Sequence, residues 1–158
     1  MADGQKELQK DWYNAGKARC SLDLSGLNNE KHCERLRALL NGAPIQGPAL
    51  EVGCGNGWYS GKFGGGFGID ISIESIRKRF DKSAAAVTAD AERLPFKGGT
   101  FGFVYGFAVL HHLASIEAGL AEAHRVLRPG GRIAFGSENN AACPMNYLFP
   151  LLYGNWHI

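Results

Sequence analysis

Five short apolar segments constrain this chain more than any other feature: ALEV at 49–52, FGID at 67–70, AVTAD at 86–90, FGFVYGF at 101–107 and RIAFGSE at 132–138. Each ends near a glycine or an acid, and helical patterns lie between them. Ile73, Ile76 and Phe80 form one stripe behind Ser72 as a cap, and Ile116, Leu120, Ala123 and Leu127 form another that stops at RPGG. Ahead of the first segment, Cys33, Leu36 and Leu40 predict an amphipathic helix between Asn28 and Gly42. Near-continuous apolar strands that alternate with helices imply a parallel sheet covered on both faces, a doubly wound α/β domain.

Ligands of such sheets sit at the carboxyl ends of the strands. Here those ends are Glu51 to Gly57, Asp70, Asp90 and Phe107 to His112, so three carry an acid and the fourth carries two histidines. The loop EVGCGNG invites a nucleotide, and its spacing narrows the choice. A dinucleotide loop needs G-x-G-x-x-G, with a small last residue where the helix packs on the strand. Trp58 stands there instead, and the glycines run G-x-G-x-G. Gly57 to Asp70 is also only thirteen residues, short of the roughly 20 that separate a pyrophosphate loop from its ribose acid. No GK[ST] follows, which excludes a P-loop. A ligand with adenosine but without phosphates fits better.

The run ALEVGCGNG, then GIDIS, DAERLPF at 90–96, FAVLHHL at 107–113 and EAHRVLRPGGRIAF at 122–135 together resemble the class I S-adenosylmethionine-dependent methyltransferases, in their small-molecule-type branch. The likeness covers roughly residues 30 to 138 in the family's order and spacing. It implies a Rossmann-like fold with helices on both faces, S-adenosylmethionine as cofactor and S-adenosylhomocysteine as product, with no metal. Carried onto this chain, Glu51, Gly53, Gly55 and Gly57 match the loop that admits the methionyl part, with Glu51 near its amino group. Asp70 matches the acceptor of both ribose hydroxyls, Asp90 the acceptor of the adenine amino group, and Ala91 the N–H that meets the ring. Phe107 matches the backbone beside the methionyl moiety. Asn56, Ile71 and Glu92 complete the expected cofactor set.

The reaction implied is an in-line transfer of the sulfonium methyl to a small-molecule acceptor. It needs alignment and exclusion of water more than a nucleophilic side chain, and positioning supplies roughly 7 to 11 kcal/mol. His111 and His112 are the candidate catalytic pair, able to take a proton from a hydroxyl acceptor. The other reading gives one histidine to packing and the other to solvent, and the function alternative is a catalytically silent domain that binds the cofactor or a partner protein. Gly102 and Gly106 depart from the family pattern, as does the glycine run GKFGGGFG; each element-interior glycine is expected to cost roughly 0.5 to 1 kcal/mol in stability rather than a ligand contact.

Relatives carry two more strands as an antiparallel hairpin after the fifth, which ENNAACPMNYLFPLLYGNWHI, twenty-one residues, cannot hold. Either the reading frame continues past Ile158, or the 132–138 edge is covered. That edge and the apolar run 145–153 are the expected surfaces for a homo-oligomer. The organisation expected is an N-terminal segment 1–28 that serves as a lid, a cofactor domain 29–138 and an apolar segment 139–158. The length of 158 residues and 45% hydrophobic content suit one such domain, and a formal charge of +2 gives no bulk attraction to nucleic acid or membrane. Cys20, Cys33, Cys54 and Cys143 show no metal-ligand spacing and read as reduced thiols. The polar start MADGQKELQK is no signal peptide and no apolar run reaches the roughly 20 residues of a bilayer span, so a cytoplasmic protein is expected.

Overall fold

The computed structural model describes residues 2–15, 33–34, 37–38, 45–57, 59, 66–78 and 84–136. The readings placed on Leu36, Leu40, Trp58, Phe80, the 61–65 glycine run and the segments 16–32 and 137–158 lie outside these residues.

Among the described residues, five parallel strands build one sheet in the order β3-β2-β1-β4-β5. The first, β1 (Ala49–Val52), is buried throughout and is flanked by β2 (Gly66–Asp70) and β4 (Phe101–Phe107); β3 (Ala85–Thr88) lies outside β2, and β5 (Leu127–Gly136) outside β4. The chain winds outward from β1 through β2 to β3, then returns to the other side of β1. This reversal opens a crevice at the carboxyl ends of β1 and β4, the place where open α/β sheets take their ligands.

The centre of the sheet, β1 and β4, is buried on both faces, while β3 and β5 are more exposed. Leu50, Val52, Ile69, Phe101 and Val104 pack with Leu94, Ala123 and Val126 on one side. Ala49, Phe103 and Tyr105 pack on the other with Cys33, from the helical residues 33–34 and 37–38. Phe101 and Phe103 share sequence parity yet join opposite clusters, because the β4–β5 register shifts between them. That shift absorbs RPGG into β5, which therefore begins at Leu127, earlier than the expected 132. At the other end of β2, the expected strand 86–90 leaves the ladder after Thr88, so Asp90 stands free of the sheet.

Besides the helical residues 33–34 and 37–38, the described residues hold α1 (Ala2–Asn14), α2 (Ile73–Arg77) and α3 (Ile116–Val126). The expected cap at Ser72 forms, its Oγ accepting the Ser75 N–H at 3.1 Å; Ser115, not singled out in the sequence, caps α3 in the same way, its Oγ accepting the Ala118 N–H at 3.1 Å. The stripe expected on α3 holds in part. Ala123 is buried and Leu127 packs against the core, but Ile116 and Leu120 are exposed, and Gly119 and Val126 complete the buried face. Leu113 folds over Gly119, where a Cβ would collide with its side chain, so the helix sits close on its small residues and turns the larger ones outward.

Gly102 and Gly106 are required by packing. A Cβ on Gly102 would strike the Gln46 carbonyl, and one on Gly106 would lie 2.8 Å from the Val52 oxygen, Val109 and Phe135. Among the described residues, no helix is long and apolar enough to cross a membrane.

Candidate functional site

At the end of β1, Gly53, Gly55 and Gly57 all have positive φ, at 69°, 49° and 81°, which turns the chain back across the strand end. The turn is closed by the chain's own acceptors. Cys54 N–H donates to the Ile69 carbonyl at 2.8 Å, Gly55 N–H to Asp70 Oδ2 at 2.8 Å and Gly57 N–H to the Cys54 carbonyl at 2.8 Å. Gly53 also lets the loop meet the turn after β4: a Cβ there would lie 2.7 Å from Val109 Cγ2.

Asp70, the last residue of β2, therefore belongs to two loops at once. Its Oδ2 holds Gly55 and its Oδ1 accepts the Ser72 N–H at 2.8 Å. Burial pushes its carboxyl above the ordinary value of 3.8, against those two backbone donors, which pull it down. An ionised carboxylate has about four acceptor positions, so each oxygen keeps room for another donor. Glu51, on β1, is only 2% exposed, a buried acid one residue from the end of the strand.

After β3, Asp90 Oδ1 accepts the Glu92 N–H at 2.9 Å and its Oδ2 takes the Lys6 ammonium at 2.7 Å. Glu92 anchors the segment: its Oε1 accepts the N–H groups of Ala114 and Ser115, at 2.8 and 3.2 Å, just before α3. Farther on, Arg125 donates to the Leu94 and Phe96 carbonyls at 3.0 and 2.8 Å, while Glu122 accepts the Leu94 N–H at 2.8 Å. The Arg125 guanidinium holds the Glu122 carboxyl below the usual carboxylate range. Asp90, Ala91 and Glu92 are thus fixed from α3.

The β4 end carries Phe107, Ala108 with φ 51°, and the 3₁₀ turn Leu110–His112. His111 and His112 stand side by side with ring centroids 4.1 Å apart. Tyr59 stacks on Phe107 at 4.0 Å and its carbonyl accepts the Tyr105 hydroxyl at 3.2 Å, which makes an aromatic wall on this side.

The fold thus brings Glu51, the glycine loop with Asn56, Asp70, Ile71, the Asp90–Glu92 segment, Phe107 and both histidines to one edge of the sheet. Missed from the sequence were Lys6 and Asn14 of α1, which reach this edge from far away in the chain, and Val109, whose match to Gly53 only the folded turn reveals. No local pattern could pair Lys6 with a carboxylate 84 residues on.

A family model described as a methyltransferase domain matches residues 50–135. The chain is similar to the tRNA (carboxymethyluridine(34)-5-O)-methyltransferase of Arabidopsis thaliana, 35% identical over 102 residues, which are 61% of this chain and 25% of that protein. It is also similar to the 27-O-demethylrifamycin SV methyltransferase of Amycolatopsis mediterranei, 33% identical over 100 residues, 55% of this chain and 37% of the other. Among solved structures, an S-adenosylmethionine-dependent methyltransferase from Mesorhizobium loti superposes with a TM-score of 0.55 at 25% identity, over 65% of this chain and 50% of that one. The matched stretch spans well under half the length of either curated relative.

Proposed function

Since the chain belongs to the class I S-adenosylmethionine-dependent methyltransferase family, we propose that it binds S-adenosylmethionine along the carboxyl ends of β1, β2 and β3 and transfers its methyl group to a small-molecule acceptor. One observation carries the reading. The N–H groups of Cys54, Gly55 and Gly57 are spent inside the protein, one of them on Asp70. A loop that cradles phosphates must aim its N–H groups at the ligand; this one turns these three to carbonyls and a carboxylate of its own chain. Three acids, Glu51, Asp70 and Asp90, line the edge, which suits a ligand rich in donors and repels a pyrophosphate. An ammonium, a ribose diol and an adenine amino group are such donors.

In this reading Asp70 accepts the two ribose hydroxyls on the positions its backbone donors leave open. Glu51 faces the amino group of the methionyl part, Asp90 takes the adenine amino group, and Ala91 offers its N–H to the ring. Asn56, Ile71 and Glu92 shape the same pocket, and Phe107 with its Tyr59 partner shields the methionyl side from water. When bound, the cofactor supplies an activated methyl: the acceptor's lone pair forms the new bond as the carbon–sulfur bond breaks, and its electron pair stays on sulfur as S-adenosylhomocysteine. The acceptor's proton leaves to water or to His111 or His112.

The domain that does this is proposed as 29–138, with the N-terminal segment over it. A small-molecule acceptor is favoured by the formal charge of +2, which gives no bulk attraction to nucleic acid. Titration calorimetry with S-adenosylmethionine, S-adenosylhomocysteine and NAD tests the cofactor; no heat with the first two sinks the proposal. Release of S-adenosylhomocysteine over a panel of small hydroxyl, amine and carbon acceptors, with tRNA as a separate arm, tests the acceptor. Turnover with tRNA alone would overturn the small-molecule assignment.

A further inference from the structure

Helix α1 crosses the carboxyl edge of the sheet and is tied to the nucleoside half of the site by two polar contacts. Lys6 Nζ lies 2.7 Å from Asp90 Oδ2 and 3.0 Å from Glu92 Oε2. Farther along the helix, by roughly two turns or about 12 Å, Asn14 Oδ1 accepts the Ser72 hydroxyl at 2.9 Å and the Glu74 N–H at 3.5 Å. The helix thus rests on the residues that follow β3 at one contact and β2 at the other.

The Lys6 contact has an unusual target. Asp90 Oδ1 is held by the Glu92 N–H, so the ammonium sits on the remaining oxygen, the one no backbone donor holds among the described contacts. The hydrogen bond to Asp90 keeps Lys6 charged more firmly than an ordinary lysine, and outweighs the burial that opposes it. A cation at this distance weakens the carboxylate as an acceptor for a neutral amino group. Glu92 differs from Asp90. Its side chain is 10% exposed, its Oε1 is locked by Ala114 and Ser115, and its Oε2 faces Lys6, so it forms a rigid second seat for the ammonium.

We propose that Lys6 is a displaceable latch on Asp90: its ammonium competes with the adenine amino group, and Glu92 retains Lys6, and α1 with it, once Asp90 is taken. The proposal rests on the reading of Asp90 as the adenine acceptor. In effect the cofactor is admitted against the helix that covers it, and the helix stays in place.

The test is calorimetry of S-adenosylhomocysteine binding to the full chain, comparing wild type, Lys6→Met and Lys6→Arg at about 0.05 M and about 0.5 M salt. Lys6→Met should bind about two- to fivefold more tightly at low salt, the scale of a partly exposed ion pair. That advantage should shrink at high salt, where the competing pair is screened. Lys6→Arg, which can hold Asp90 through a bidentate fork, should bind more weakly than wild type. Urea unfolding of each variant confirms that the fold is intact. If wild type binds while Lys6→Met binds equally or less tightly, Lys6 is a cover and the latch alone is overturned. If no variant gives heat, the cofactor assignment itself fails, and the latch with it.

Discussion

Asp70 couples the glycine loop, the start of α2 and the expected ribose site through one carboxylate, so its titration should be visible in ligand binding. Its folded pKa lies above the ordinary value. Ionising it therefore costs stability, and the stability it contributes is fully present below the unfolded pKa and lost as pH rises through the folded one. Ligand binding runs the other way, because hydroxyls donate to the ionised form. Affinity for S-adenosylhomocysteine should fall as pH drops through the raised pKa, at a higher pH than an ordinary carboxylate would give, and Asp70→Ala should abolish that pH dependence. The same substitution should weaken binding on the order of 100-fold or more, since each bond to a charged acceptor contributes roughly 1.5 to 3 kcal/mol. Ala108 has a φ of 51°, which disfavours a residue with a Cβ. Ala108→Gly should raise stability to urea by roughly 0.5 to 1 kcal/mol, the left-handed penalty less the entropy glycine adds to the unfolded chain. The acids were legible at this scale because each ends a strand segment. Lys6 was not, because its role depends on where α1 docks.

Helix α3 tests how far periodicity can be trusted. The predicted stripe shares Ala123 and Leu127 with the buried face, yet Ile116 and Leu120 turn outward, because Gly119 lets the helix approach and Leu113 fills the space over it. A hydrophobicity count weights Ile and Leu and overlooks the small residues that set the distance. Leu120→Lys should therefore change stability by no more than about 0.5 kcal/mol, while Ala123→Leu should cost about 1 to 3 kcal/mol by overpacking. Urea unfolding of both variants distinguishes the two faces. The polar side of the same helix has its own task. Glu122 and Arg125 hold the backbone at Leu94 and Phe96, so Arg125→Ala should raise amide hydrogen exchange in residues 92–96 more than in the sheet. The cap at Ser72 could be read from sequence, since a cap is a local device; the hold of α3 on the 94–96 segment could not, since its partners lie about thirty residues apart.

For the whole molecule, alternation of strand and helix carried the architecture, and the right-handed crossover rule restricts how such segments can be ordered. The bulge that draws RPGG into β5 was not legible, because it arises from the way β5 meets β4. If the site binds as proposed, saturating S-adenosylhomocysteine should protect the entire fold: at about one hundred times Kd the gain is about 2.7 kcal/mol. For a chain of this size that raises Tm by roughly 5 to 10 °C, with no shift from NAD, in a thermal denaturation scan.

The place of β1 in the sheet also sets an order of events. Its neighbour β4 pairs Phe103 with Ala49, fifty-four positions apart, whereas β2 pairs Gly66 with the same Ala49. During synthesis, β1 can gain one neighbour early but must keep its other edge bare until β4 emerges. Distant pairings slow folding, and an open edge invites association with other chains. The crevice between β1 and β4 is thus assembled late, and the strand that carries Glu51 is the one a nascent chain must shelter longest.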